Sequence, residues 1–245
     1  MADKPSPEDV LSASRFAPYL AETDNDHELA MELYRWGVEL AGSWHSHISY
    51  VEVAVRNSID RQLRHWNSQQ THYGSRLSEE WTGEHNTAVP LHHILASGLA
   101  SARIYASKEV ERRSPRHPRY GVSPSHEDVL VHLPLGSWSR LFLNPGESSP
   151  NEQQKALWDD CLKYAFPFAK YSDQRGQMRV GRTLETFRKL RNRISHHDNL
   201  LRVQTKKRLN ESLALIGSID PGYPELIMQR NSLRRLDRED PRRRP

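Results

Sequence analysis

The 245-residue chain has a single cysteine, Cys161, and this scarcity excludes a disulfide framework and a four-cysteine metal site. No apolar run approaches the roughly 18 residues of a membrane span. The first ten residues are polar and contain Pro5 and Pro7, so they do not resemble a secretory signal peptide. We therefore expect a soluble, cytoplasmic protein that does not contact a membrane.

The chain also has a small net charge. The net charge is +4, and the last twelve residues contribute six arginines against three acidic residues, which leaves the rest of the chain close to neutral. A segment of that composition buries little apolar surface. We predict a single domain over residues 1–233 and a basic, disordered tail over residues 234–245. The overall charge alone does not indicate nucleic-acid binding.

Strand-like alternation is nearly missing, whereas helical periodicity recurs along the chain. One apolar stripe extends over six turns after Gly42; it consists of Trp44, Ile48, Val51, Val55, Ile59, Leu63 and Trp66. Shorter patterns predict a helix that Ser6 caps, a helix over 28–40 and a helix over 182–197. Residues 67–89 and 112–124 are predicted to be loops. The fold class that follows is all-α, a helical bundle with inserted loops.

Basic residues are concentrated in one segment. Residues 175–193 contain seven of them, and Glu185 is the only acidic residue there. Such a block is either a solvated helix face or a surface that binds phosphate groups. The composition leaves both interpretations open.

The most specific motif lies at the end of that segment and consists of Arg191, Asn192 and His196. An arginine five residues before a histidine also arises by chance in a chain with 13 histidines, and Arg112 and His117 share this spacing in a proline-containing loop. The position favours the later pair, because it lies near the end of a periodic helix. Asn192 and His196 are four residues apart and therefore share a helix face.

Four sequence blocks resemble, in family order, the Abi-like (abortive-infection) family of HEPN-domain proteins. They are Leu11–Phe16 with Tyr19–Leu20, Leu33–Trp36 followed by Glu52–Asn57, Leu135–Leu141, and Leu190–His197. The resemblance implies an HEPN-like bundle that acts as a homodimeric, metal-independent ribonuclease, either in phage defence or as a toxin. It implies no cofactor, and it leaves open an antitoxin or a non-coding RNA as a partner.

Two positions depart from the family pattern. Gly37 follows Trp36 where the family often has asparagine, which indicates either a close approach or divergence. Asp198 stands where HEPN toxins that pair with nucleotidyltransferase antitoxins have a tyrosine. Silencing by modification of that tyrosine is therefore not expected.

The motif residues suit RNA cleavage by attack of the ribose 2′-OH. Arg191 would bind the phosphate and offset its growing charge, because guanidinium offers paired donors with a permanent charge. His196 would transfer protons, and Asn192 would orient His196 or the phosphate. One chain offers one such histidine, so a two-histidine site needs a second copy. We expect no metal site, because His45 and His47 lie on opposite sides of a helix and no cysteine cluster accompanies any histidine pair.

Five further residues are candidates for supporting or RNA-binding roles. Arg188 and Arg193 flank the motif on the same predicted helix. Glu52, Arg56 and Asn57 form a polar cluster on an otherwise apolar helix. Glu52 and Arg56 have the spacing of an intrahelical ion pair, and the resemblance suggests instead that they brace the catalytic helix. The alternative to a nuclease is a non-catalytic HEPN module that binds RNA or a partner protein through the basic helix.

Overall fold

The computed structural model describes residues 7–243, so the predicted cap residue Ser6 lies outside the described residues. Eleven α-helices form within this range; they are α1 Pro7–Leu11, α2 Ala13–Ala21, α3 His27–Ser68, α4 Leu91–Glu111, α5 His126–Leu130, α6 Leu135–Arg140, α7 Glu152–Asp160, α8 Gln174–Ser195, α9 Thr205–Gly217, α10 Tyr223–Met228 and α11 Leu233–Arg238. Two 3₁₀ turns span Leu162–Ala165 and Pro241–Arg243. The strands β1 (Thr71–His72) and β2 (Ser75–Arg76) form one short antiparallel hairpin, with Thr71 opposite Arg76. The prediction of an all-α fold is confirmed.

The longest helix, α3, joins two helices that were predicted to be separate. Asp26 caps it, because its carboxylate accepts hydrogen bonds from the backbone N–H groups of Glu28 and Leu29, both at 3.0 Å. The helix then continues through Gly42, where we expected a break. Glycine costs only about 1 kcal/mol inside a helix, and the burial of Leu40 and Trp44 on either side outweighs that cost.

Helix α3 is the central helix of the fold, and several other elements pack against it. Helices α2, α8, α9 and α11 pack against it, as does the 3₁₀ turn at residues 162–165. Trp44 is fully buried beside Phe187 of α8, with ring centroids 6.3 Å apart. Ser58 donates a hydrogen bond to the carbonyl of Ala165 at 2.7 Å. The position of α8, which carries the motif, is therefore set by the apolar face of α3.

The last residues correct the prediction of a disordered tail. Residues 234–243 are ordered, because α11 buries Leu236 and the indole N–H of Trp36 donates to the carbonyl of Leu236 at 2.9 Å. Arg242 forms an ion pair with Glu22 at 3.0 Å and another with Asp240 at 2.8 Å. Composition alone does not predict these contacts, because the ion pair of Arg242 with Glu22 forms only when the chain folds.

No helix in the described range is both long enough and apolar enough to cross a membrane.

Candidate functional site

Helix α8 presents the predicted motif at its C-terminal end. The helix begins at Gln174, eight residues before the predicted start, because the Asp173 carboxylate accepts a hydrogen bond from the N–H of Arg175 at 3.0 Å. At its other end His197 has a φ of 51°, and the N–H of Asp198 donates to the carbonyl of Arg193 at 2.8 Å. This left-handed termination is a Schellman motif. His196 is therefore the C-cap residue, one turn beyond Asn192.

Helix α6 and the residues that follow it approach α8 closely at two glycines, Gly136 of α6 and Gly181 of α8. A Cβ atom added to Gly181 would lie 2.8 Å from the Cβ of Leu143, and one added to Gly136 would lie 3.1 Å from the Cδ of Arg188. Both distances are shorter than an ordinary van der Waals contact, so these positions accept only glycine without movement of a neighbour. The close approach brings together two of the sequence blocks, residues 135–141 and 190–197.

A cavity of about 510 Å³ lies where these two blocks meet. Helix α6 and the residue before it contribute Pro134, Leu135, Gly136 and Arg140 to its lining, and α8 contributes Arg188, Arg191 and Asn192. The structure thus places Arg191 and Asn192 in one cavity, together with the predicted supporting residue Arg188. It adds Arg140, which sequence analysis did not select, since nothing in the sequence shows that α6 faces α8.

The arginines of the cavity differ in their partners. Arg188 donates two hydrogen bonds of 2.7 Å to the Glu185 carboxylate, and this guanidinium holds the pKa of Glu185 below its usual value. Neither Arg140 nor Arg191 has a carboxylate within ion-pair distance among residues 7–243. No carboxylate lines the cavity. The cavity therefore combines two cations that have no internal counterion with the amide of Asn192, which is a combination suited to an anion.

His196 does not line this cavity and lies one helical turn beyond Asn192. Its backbone N–H donates to the carbonyl of Asn192 at 3.0 Å, whereas its imidazole is exposed and forms no hydrogen bond or ion pair with another described residue. The carbonyl of the next residue, His197, accepts a hydrogen bond from Arg15 at 3.1 Å. The three motif residues are thus neighbours, but only Arg191 and Asn192 share the cavity.

The basic segment is partly neutralised within the fold. Arg175 pairs with Asp173, and both Arg188 and Lys189 pair with Glu185. Arg193 lies 3.0 Å from the Asp198 carboxylate and also donates to the carbonyl of Asn199. The number of basic residues therefore overstates the unpaired charge. The other three basic residues of the segment have no carboxylate within ion-pair distance among the described residues; they are Arg179, Arg182 and Arg191.

The cluster on α3 does not form the predicted ion pair. Glu52 and Arg56 form no ion pair with each other among the described residues, and neither lines the cavity. The Nε atom of Arg56 is buried without a hydrogen-bond partner in the described chain. Asn57 faces a different groove, which α3 forms with α10. No hydrogen bond or ion pair joins Glu52 or Arg56 to α8 among the described residues, and the predicted bracing role stays a prediction.

A second polar constellation resembles a hydrolytic triad in its order of groups. The Oγ atom of Thr82 lies 2.9 Å from Nδ1 of His126, whose Nε2 lies 2.9 Å from the Asp60 carboxylate. The side chains of Thr82 and His126 are almost completely buried, so a substrate cannot reach the hydroxyl. Asp60 also accepts a hydrogen bond from the indole of Trp81 at 2.8 Å. This network fastens residues 81–82 to α3 and α5 and is structural.

Arg112 and His117, the other arginine and histidine with this spacing, belong to none of these features. Arg112 is exposed at the C-terminal cap of α4, and His117 is exposed in the following loop, where its Nδ1 accepts a hydrogen bond from the N–H of Arg119 at 3.1 Å. Neither residue lines the cavity between α6 and α8. Arg112 and His117 therefore serve as matched controls for Arg191 and His196.

Over residues 7–243 no group of three or more histidine, cysteine, aspartate or glutamate side chains is arranged to hold a metal ion. Comparisons with protein-family models, with curated proteins and with solved structures found no match. The resemblance to the Abi-like HEPN family therefore stays a prediction.

Proposed function

We propose that this protein is a metal-independent RNA endonuclease of the Abi-like HEPN type, which acts in phage defence or as a toxin. The observation that carries the proposal is the cavity between α6 and α8. It holds Arg140, Arg191 and Asn192, and no carboxylate lines it. Groups of this kind bind a phosphodiester, the one anionic group that every RNA linkage presents.

The chemistry that fits this lining is attack by the ribose 2′-OH on the adjacent phosphorus. The new O–P bond forms as the 5′ oxygen leaves, so one proton must be taken from the 2′ oxygen and another given to the 5′ oxygen. In the proposal Arg191 stabilises the charge on the phosphorane oxygens and Asn192 orients the phosphate. His196 transfers a proton, because histidine changes its charge near neutral pH. The products are a 2′,3′-cyclic phosphate and a 5′-OH.

A homodimer supplies what one chain lacks in this proposal. The described lining contains no imidazole, whereas His196 is exposed one helical turn beyond Asn192 and can reach a substrate bound by another copy. Two-fold symmetry would place each His196 near the partner cavity if the C-terminal end of α8 lies at the seam. The second candidate function is a non-catalytic HEPN module that binds RNA or a protein. The absence of an imidazole from the described lining favours this candidate.

The central test is cleavage of a labelled RNA by purified protein. We expect Arg191→Ala and His196→Ala each to lower the cleavage rate by at least about 100-fold, the scale of one acid–base or charge-stabilising group. Arg112→Ala and His117→Ala, the matched pair in the loop, should keep wild-type activity. Loss of activity in the loop pair alone would show that the wrong arginine and histidine were chosen. Intact RNA binding without any cleavage would favour the non-catalytic module.

The products provide a second arm of the same test. An RNA with one 2′-deoxy position should resist cleavage there, since the deoxyribose lacks the attacking hydroxyl. Cleavage should persist in a chelator and yield cyclic phosphate ends. Efficient cutting at the deoxy position, or activity that chelator removes and magnesium restores, would contradict this mechanism.

A further inference from the structure

A second groove follows the seam between α8 and α9. Its first part, of about 310 Å³, is lined by five basic residues; they are Lys189, Arg193, Arg202, Lys207 and Arg208. Its second part, of about 570 Å³, shares Gln204 and Lys207 with the first, so the two parts adjoin each other at these residues. The second part adds Arg179, Lys206 and Arg243.

The groove is basic along its whole length. No acidic residue lines its first part, and Glu211 and Asp237 are the acidic residues in its second part. Four of the five cations in the first part have carboxylate partners, and two of these pairs are Lys189 with Glu185 and Arg193 with Asp198. Arg208 pairs with Glu211 at 2.5 Å, whereas Arg202 is only 3.7 Å from Glu22 and is 87% exposed. Lys206 and Lys207 are exposed and have no carboxylate within ion-pair distance in the described chain.

The groove lies on the side of α8 opposite the cavity that Arg191 lines. Lys189 and Arg193 each stand two residues from Arg191, which is a rise of about 3 Å along the helix axis and a rotation of about 200° around it. They line the groove, whereas Arg191 and Asn192 line the cavity. The C-terminal part of α8 therefore carries basic groups toward openings on two sides of the helix.

We infer that this groove binds the sugar–phosphate backbone of an RNA strand on the side of α8 opposite the cavity that holds the scissile linkage. The inference rests on the proposed function and names where the substrate extends beyond the scissile phosphate. The lining of the first part supports an electrostatic, sequence-independent mode, because it has five cations, no aromatic side chain for base stacking, and Leu190 and Val203 as its apolar members. The groove residues set affinity and the cavity residues carry out the chemistry.

The test measures RNA affinity over a range of salt concentrations, in a His196→Ala background so that the strand stays intact. The groove variant replaces Lys189, Arg202 and Lys207 by alanine. The control variant replaces Lys108, Arg112 and Arg116, three exposed basic residues outside the groove, and so loses the same charge. The groove variant should bind at least about tenfold more weakly at low salt. Its slope of log affinity against log salt should be shallower by about 2, since each lost contact with single-stranded RNA removes about 0.7.

The outcomes separate this inference from the proposed nuclease activity. Equal affinity and equal slope in the groove and control variants would overturn the inference, whether or not the wild type cuts RNA. Weaker binding in the groove variant would support it even if the wild type cuts nothing, in which case the nuclease proposal fails alone. Polyglutamate that competes as well as RNA at the same salt concentration would overturn the assignment of RNA.

Discussion

Acid should destabilise this protein through His47, a fully buried histidine on α3. The Oγ atom of Ser212 donates a hydrogen bond to the carbonyl of Leu209 at 2.8 Å and lies 2.6 Å from Nε2 of His47. The hydroxyl therefore accepts the Nε2 proton. Nδ1 then accepts from the amide of Asn231 at 3.1 Å. This network needs a neutral ring, and burial lowers the pKa of His47 from 6.5 to about 4.

The sign and size of the effect follow from those two pKa values. Above pH 6.5 the ring of His47 is neutral in the folded and the unfolded chain, so its full contribution to stability is present. As the pH falls from 6.5 to about 4, the unfolded chain binds a proton that the folded chain does not, and stability is lost. The complete loss is about 3 kcal/mol, and about 2 kcal/mol of it falls between pH 7 and pH 5.

The assay is urea denaturation at several pH values for the wild type, His47→Gln and His45→Gln. Other titrating groups are common to all three proteins and cancel when the pH dependences are compared. The free energy of unfolding of His47→Gln should lose about 2 kcal/mol less than that of the wild type between pH 7 and pH 5. His45 is exposed two residues away, so its variant should follow the wild type. Equal pH dependence in the wild type and His47→Gln would refute this account of the buried ring.

Two further predictions concern helix packing and assembly. Gly42→Ala should raise the free energy of unfolding by about 0.5–1 kcal/mol, because the added Cβ meets nothing within 4 Å. Gly181→Ala should lower it by about 1–3 kcal/mol, because its Cβ would lie 2.8 Å from that of Leu143; urea denaturation that gives both changes the same sign would contradict this reasoning. If each active site combines residues of two chains, mixing the inactive Arg191→Ala and His196→Ala proteins should restore roughly a quarter of wild-type cleavage, since half of the randomly exchanged dimers are mixed and each has one intact site. Mixed dimers without activity would exclude a shared site.

Much of the helical architecture could be predicted because it depends on local periodicity. The stripe from Trp44 to Trp66 forms the C-terminal half of α3, and every member of it is buried. The prediction of a break at Gly42 was wrong, since a glycine resembles a helix end until the buried neighbours on both sides are known. The prediction for the C-terminal segment failed for a related reason. The six arginines of residues 234–245 suggest a solvated segment, whereas the fold brings Glu22, which is distant in the chain, to Arg242.

The candidate site was likewise predictable only in part. The position of the motif near the end of a periodic, basic helix selected Arg191 and Asn192, since the spacing alone also fits Arg112 and His117. Residues on one helix keep their relative positions in any fold that contains it. Arg140 could not be selected, since its place beside Arg191 depends on the close approach of α6 and the residues after it to α8, at Gly136 and Gly181. The sequence by itself thus determined the helices and the motif that one of them carries. Only the tertiary structure decided which charges are paired and which face a cavity, because ion pairs and cavities are made by residues far apart in the chain.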